Sequence, residues 1–138
     1  MLNHDSIAKL LAEALRLQPG FEEFSDLGIF YSLRPAAPVR CITIYDNGGF
    51  LDGRDMDGKT IEFPGIQFVV RDSDPNEAYR LIRSIWTWSE SKFSLALGDS
   101  GLSLKSIKKT STILPMGIED KSLAQLYSLN VQVTISGE

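Results

Sequence analysis

The stretch PGIQFVVRDSDPNEAYRLIRSIWTW, residues 64–88, is the part of this chain whose local structure is predicted most clearly by its sequence. Its apolar run at residues 66–70 predicts a strand, and the polar residues 71–73 predict a turn that ends the strand. Asp74 fits the N-cap of a helix, because its carboxylate can accept a hydrogen bond from a backbone N–H two or three residues further on. Pro75 suits the first helical position, which needs no N–H donor. The stretch therefore predicts a strand–turn–helix unit.

The predicted helix runs over residues 75–90 and has aromatic residues on both flanks of its apolar stripe. The stripe consists of Ala78, Leu81, Ile82 and Ile85. Tyr79 and Trp86 lie on one flank and Trp88 on the other. Packing against the core would account for either tryptophan by itself. With aromatic residues on both flanks, however, the apolar face of the helix is too wide for one sheet to cover easily. Aromatic residues are enriched at the centres of interfaces, so we expect Tyr79, Trp86 and Trp88 to contact a neighbouring subunit or a partner.

The rest of the chain supplies one more helix and four more strands. Apolar residues at helical spacing between Ile7 and Leu15 predict the helix, capped by Asn3 or Asp5 and ended by Pro19-Gly20. We expect strands at residues 28–33, 39–45, 66–70, 106–114 and 125–135, with Pro115 stopping the fourth and a turn after it. Short connections favour antiparallel pairing. The prediction is a single α+β domain over residues 1–138, with a mostly antiparallel sheet of about five strands and two helices packed on it, in the order α-β-β-β-α-β-β.

One long segment, DNGGFLDGRDMDGKTIEF at residues 46–63, has no sustained period and contains four glycines. We expect a long mobile loop there, and loops of this length are usually functional. Its acidic residues resemble a calcium-binding loop only in part. With Gly58 as the sharp-turn glycine, the two essential ligand positions fall on Gly53 and Pro64, which carry no carboxylate. The segment therefore predicts a solvated acidic loop without a metal site.

Composition excludes several classes of function. The net charge of −4 argues against sequence-independent binding of nucleic acid, which needs a surface rich in Lys and Arg. No apolar run approaches the ~20 residues of a membrane span, and the amphipathic start predicts no signal peptide. The single cysteine, Cys41, lies in an apolar run, and the single histidine, His4, lies near the terminus. Neither has a positioned catalytic partner in sequence, so we expect no enzyme, no cofactor and no metal.

Residues 64–85 resemble the tail-terminator (minor capsid) proteins of long-tailed bacteriophages. The resemblance rests on the strand, the Val-Arg-Asp turn at residues 70–72 and the helix opening Asp-Pro-x-Glu-Ala-Tyr at residues 74–79. Gly-Ile-Glu-Asp at residues 117–120 and Ser-Leu-Asn-Val at residues 128–131 add to it, as do the order and length of the elements. These motifs are moderately specific, and the likeness covers nearly the whole chain.

The resemblance implies a structural virion protein without enzymatic activity, assembled in the host cytoplasm. It implies a homo-oligomeric ring, typically a hexamer, that caps the head-proximal end of the tail tube, stops tube growth and presents a surface to the head connector. DNA would pass through the ring without being read. For that channel we expect an acidic lining from the residues of the 46–63 loop, namely Asp52, Asp55, Asp57 and Glu62.

Three alternatives remain open at the level of sequence. A head-completion ring subunit, nearer the capsid, would share nearly all of these features. A subunit of a contractile-injection or gene-transfer particle would share the mechanism. A small-ligand-binding α+β domain would need a pocket with convergent polar groups, for which the sequence offers no titratable pair.

Overall fold

The computed structural model describes residues 6–17, 28–35, 39–54, 60–90, 95–97, 100–119 and 123–137, with the backbone alone described at residues 48–54 and 60. These residues form two helices and seven strands: α1 (Ile7–Arg16), β1 (Ile29–Tyr31), β2 (Cys41–Arg54), β3 (Thr60–Asp72), α2 (Pro75–Ser89), β4 (Leu95–Ala96), β5 (Leu102–Lys109), β6 (Leu114–Ile118) and β7 (Gln125–Gly137). The predicted α+β class and both helices are confirmed. The sheet has seven strands where about five were predicted, and the predicted element order is matched except that four strands, not two, follow α2.

The strands form one mixed sheet in the order β1-β2-β3-β7-β5-β4, with β6 also paired to β7. Every pair is antiparallel except β1 with β2, which run parallel. A parallel pair requires a crossover connection, which here joins Tyr31 at the end of β1 to Cys41 at the start of β2. The prediction of a mostly antiparallel sheet is therefore matched in part.

The prediction of a long loop at residues 46–63 is wrong for those of its residues that the structure describes. Residues 46–54 continue β2 and residues 60–63 begin β3, so the two strands form a long hairpin. The pairing between Asp46 and Arg54 contains two register shifts. Each shift breaks the two-residue alternation of side chains, which is why the segment shows no period in sequence. Residues 55–59 lie outside the described part.

β5 and β6 share one edge of β7, because β3 occupies the other edge along nearly its whole length. The chain leaves the ladder between Lys109 and Leu114, opposite Asn130. There the Ser111 hydroxyl accepts a hydrogen bond from the backbone N–H of Asn130 at 3.0 Å. The strand predicted at residues 106–114 is thus split in two, and the turn predicted after Pro115 is strand β6. Pro115 is tolerated because β6 is an edge strand, where a missing N–H costs no ladder bond.

Both helices pack on the same core. α1 contacts β1 and β2, while α2 contacts β3, β5 and β7. The buried stripe of α2 is the predicted one, and its aromatic and aliphatic partners come from β3 and β7. The N-cap of α1 is Ser6, whose hydroxyl accepts a hydrogen bond from the Lys9 N–H at 3.2 Å, so the predicted caps Asn3 and Asp5 were wrong. Among the described residues no helix is long and apolar enough to cross a membrane.

Candidate partner surface

Helix α2 is fixed at its start by the predicted cap. The Asp74 carboxylate accepts a hydrogen bond from the backbone N–H of Asn76 at 2.9 Å, and Pro75 occupies the first turn. The Asp72 carboxylate accepts from the Asp74 N–H at 2.9 Å, which ties the turn to the end of β3. This start aims the helix across the sheet. Tyr79, Arg83 and Trp86 then follow one another along the side of α2 that faces β6 and β7.

An open groove of about 370 Å³ lies between α2 and the β6 side of the sheet. We call it the aromatic groove; its lining residues are Tyr79, Arg83, Trp86, Thr112, Ile113, Pro115 and Tyr127. Tyr79 and Tyr127 pack edge to face, with ring centroids 5.8 Å apart. Tyr79 is 46% exposed although it makes this contact. Rigid aromatic walls that stay partly in water are typical of contact surfaces.

Two cations lie at Trp86. The Lys109 ammonium is 3.9 Å from the ring centroid and the Arg83 guanidinium carbon 5.6 Å from it. Such contacts are favourable because the ring face is electron-rich. Lys109 also donates to the Glu90 carboxylate at 2.9 Å, and that hydrogen bond lowers the pKa of Glu90. The groove is therefore aromatic, Arg83 is the charged residue of its lining, and Lys109 beside it is paired with Glu90.

The predicted contact residues separate into two groups. Tyr79 and Trp86 line the groove, whereas Trp88 is 8% exposed and packs edge to face on Phe68 at 6.5 Å. Trp88 thus belongs to the core in this chain, and the exposure that the sequence predicted is found on the flank of Tyr79 and Trp86. The α2 stripe is covered by β3 and β7 over more of its width than the sequence indicated.

Of the four predicted acidic residues, only Glu62 has a side chain that the structure describes. Glu62 lies on β3, half-buried, between Leu51 on β2 and Ile135 on β7. Asp52 lies on β2, where the backbone alone is described, and Asp55 and Asp57 lie outside the described residues.

An exposed apolar strand adjoins the aromatic groove. Every residue of β6 is exposed, and its large apolar members Leu114, Met116 and Ile118 are 41%, 47% and 60% exposed. Leu123, which follows β6, is 73% exposed. We call these four residues the β6 patch. Sequence reasoning missed it because a short run interrupted by Pro115 and Gly117 resembles a turn. Gly117, at φ +86°, permits the bulge opposite Leu126 that β6 contains.

A buried arginine fixes the far end of this strand. Arg71 on β3 is 1% exposed and donates to the carbonyls of Val39 at 2.7 Å and Pro35 at 2.6 Å. It also pairs with the Glu119 carboxylate at 3.2 Å, and Arg34 pairs with the same carboxylate at 3.1 Å. The crossover and the end of β6 are therefore held to the sheet by one guanidinium.

Cys41 lies opposite Arg71 on β2 and is fully buried. Burial raises the pKa of its thiol, and the nearby Arg71 charge only partly opposes that effect. A raised pKa keeps the thiol protonated and unreactive at neutral pH. Its environment is that of a small buried hydrophobe, as the sequence indicated.

Comparison with known protein families gives one match. The family model described as bacteriophage tail terminator protein matches residues 15–136. The chain belongs to the bacteriophage tail terminator family. No curated protein matches it. The matched range runs from the end of α1 through β7, so it includes the aromatic groove and the β6 patch of this tail terminator family member. The family is one of structural phage tail proteins, which makes this chain a structural component of the virion and agrees with the resemblance seen in residues 64–85.

Proposed function

We propose that the chain forms a closed head-to-tail ring at the head-proximal end of the phage tail tube. The ring ends tube polymerisation and offers its other face to the head connector. The observation that carries the proposal is the presence of two different exposed apolar patches at the two margins of one sheet. A ring built from a single kind of subunit requires such a pair, because each copy meets its neighbour through two unlike surfaces.

The first surface is the β6 patch. Among the described residues β6 pairs on one side only, with β7, so its other backbone edge is free. Free apolar edges of sheets are usually short, charged or covered, because they pair readily with another chain. β6 is short but carries no charge. An edge of this kind fits a surface that assembly covers.

The second surface lies at the β1 margin, at the opposite end of the strand order. Leu17, the residue after α1, is 83% exposed, and Tyr31 on β1 is 42% exposed. A hydrogen bond from the Arg16 guanidinium to the Ile29 carbonyl ties the end of α1 to β1, so both residues belong to one part of the surface. We call Leu17 and Tyr31 the β1 patch. It differs from the β6 patch in its residues and in its place on the sheet, as a head-to-tail contact requires.

The acidic β2–β3 hairpin is proposed as the lining of the DNA channel, through Asp52, Asp55, Asp57 and Glu62. Phosphates that meet carboxylates release no counterions, so the DNA is not held as it passes. A ring structure that places the hairpin on the outer rim contradicts this assignment. It would leave the ring itself intact as a proposal.

Mass measurement in solution with negative-stain imaging, with and without tube protein, tests the ring. We expect six-fold rings that cap one end of each tube and limit its growth. A chain that neither binds nor limits tubes contradicts the proposal. A monomer in the absence of tube protein does not, because assembly can depend on the partner surface. Pull-down of connector protein without tube protein would instead assign the chain to head completion.

A further inference from the structure

Two residues of the chain have a strained backbone. In the described part of the chain, the non-glycine residues with a left-handed backbone are Ser32, at φ +63°, and Leu123, at φ +56°. Glycine or asparagine usually occupies this conformation, because the Cβ of a larger residue comes too close to the following carbonyl oxygen. Leu123 belongs to the β6 patch, and Ser32 directly follows Tyr31 of the β1 patch. The strain is therefore found at both of the patches that the proposed ring brings together.

The conformation of Leu123 is fixed by its surroundings. The Leu123 N–H donates to the Glu119 carbonyl at 2.8 Å, and the Glu119 N–H donates to the Ala124 carbonyl at 2.8 Å. The Glu119 carboxylate pairs with buried Arg71 at 3.2 Å, and Ala124 is fully buried. The turn cannot relax without breaking these contacts. Strain that its surroundings maintain in this way is concentrated at the sites through which a protein acts.

The side chain of Leu123 gives the free subunit little in return for this strain. It is 73% exposed, and hydrophobic stabilisation comes only from apolar surface that leaves water. A glycine or an asparagine would suit the isolated turn better. The leucine is explained by a contact outside the subunit, which would bury it. Because the turn is already rigid, that contact would cost little further ordering.

The β1 patch offers a matching surface. Tyr31 is 42% exposed, and the strained turn after it fixes its position. The Ser32 N–H donates to the Ile44 carbonyl at 2.8 Å, and the Leu33 N–H donates to the Tyr31 carbonyl at 2.7 Å. A tyrosine ring held in this way presents a large apolar face at a low cost in conformational entropy. Such a face suits packing against an aliphatic side chain.

We infer that Leu123 of one subunit is the anchor of each ring junction and packs on Tyr31 and Leu17 of the neighbouring copy. A second copy is the occupant because the strain is found at two unlike patches, as a head-to-tail contact between identical chains requires. A partner of another kind would meet one patch only. The inference rests on the proposed ring and names the side chain that determines which surfaces meet.

Substitution of Leu123 tests the anchor in the full chain with tube protein present. Leu123→Asn keeps a residue that tolerates the left-handed backbone but removes the apolar side chain. We expect association of subunits to weaken about tenfold or more while the urea midpoint of unfolding does not fall. The conservative variant Leu123→Met retains association to within about threefold, because it still buries an apolar side chain. A midpoint that falls in Leu123→Asn, or equal loss of association in Leu123→Met, overturns the inference.

Cross-linking between two different chains tests the counterpart. With Cys41→Ala as background, Leu123→Cys and Tyr31→Cys are prepared as separate chains, mixed with tube protein and treated with a short bis-maleimide. We expect cross-linked dimers that contain one chain of each kind and none from Leu123→Cys by itself. Dimers from Leu123→Cys by itself indicate a symmetric contact. That result, or a mixture without cross-links, overturns the inference.

The same measurements separate failure of the anchor from failure of the ring. Rings that form equally well in Leu123→Asn and in the wild type overturn the inference and leave the proposed function standing. A wild-type chain that stays monomeric with tube protein present contradicts the proposed ring and the anchor together.

Discussion

At the scale of single residues, one buried guanidinium connects parts of the chain that are far apart in sequence. Arg71 reaches the carbonyls of Pro35 and Val39 and the carboxylate of Glu119 from the middle of the sheet. A buried charge needs this many partners, because leaving it unpaired costs several kcal/mol. In sequence Arg71 resembles an ordinary polar turn residue, and its burial could not be predicted.

We expect Arg71→Met to lower the free energy of unfolding by about 2–4 kcal/mol, because the two carbonyls and Glu119 lose a donor. Urea denaturation measures the change. Arg83→Met is the control, since the same substitution at an exposed site on α2 changes stability by only about 0.5 kcal/mol or less. Equal effects of the two substitutions would show that the Arg71 contacts add no net stability.

The pair of Lys109 and Glu90 makes a prediction about pH. The hydrogen bond from Lys109 holds the pKa of Glu90 below its ordinary value of 4.5. The ionised form is favoured in the folded state, so the stabilisation is present above pH 4.5 and is lost as the pH falls through the folded pKa. We expect the pKa of Glu90, measured by NMR titration, to rise towards 4.5 in Lys109→Met. Lys108 is an exposed neighbour, and we expect Lys108→Met to leave the pKa of Glu90 at its wild-type value. If the pKa of Glu90 does not rise in Lys109→Met, the hydrogen bond from Lys109 is not its cause.

At the scale of elements, local chemistry predicts α2 well and the β5–β6 region poorly. Three features predict α2: the cap at Asp74, Pro75 and the apolar stripe. Each acts on residues within one or two helical turns, so the local sequence is enough to predict the helix. The division between β5 and β6 has its cause in β7, at Asn130, which is about 19 residues further along the chain. Pro115 and Gly117 predict a turn by themselves, and pairing with β7 overrides that preference.

Asp74→Ala removes the acceptor for the Asn76 N–H, and we expect the free energy of unfolding to fall by about 1 kcal/mol. Ser73→Ala, one residue earlier at an exposed position, serves as the control and changes it by only a few tenths of that amount. Thermal or urea unfolding of both variants measures the difference. No loss in Asp74→Ala would mean that Pro75 and the Asp72 contact suffice to start the helix.

At the scale of the whole molecule, the exposed apolar residues lie at both margins of the sheet. Ile118→Asp and Leu17→Asp place a charge in the β6 patch and the β1 patch, respectively, without touching the core. We expect each to weaken association of subunits by about tenfold or more while the unfolding midpoint stays near that of the wild type, because a charge buried at an interface has no partner there. Sedimentation and urea denaturation provide the two measurements.

Thr87→Asp adds the same charge at an exposed position of α2 outside both patches and should leave association unchanged. Loss of association in only one of the two patch variants would point to a symmetric contact through that patch instead of a head-to-tail ring.

The sequence by itself determined the α+β class, both helices, the cap of α2, the final strand and the likeness to tail terminators, which the family match over residues 15–136 confirms. Each of these depends on neighbours within a few positions or on a regular period. Only the tertiary structure decided that residues 46–54 extend a hairpin, that Arg71 is buried, that Trp88 joins the core and that Tyr79, Trp86 and Tyr127 form one groove. These features depend on contacts between residues tens of positions apart, and no local pattern encodes which segments come to lie side by side.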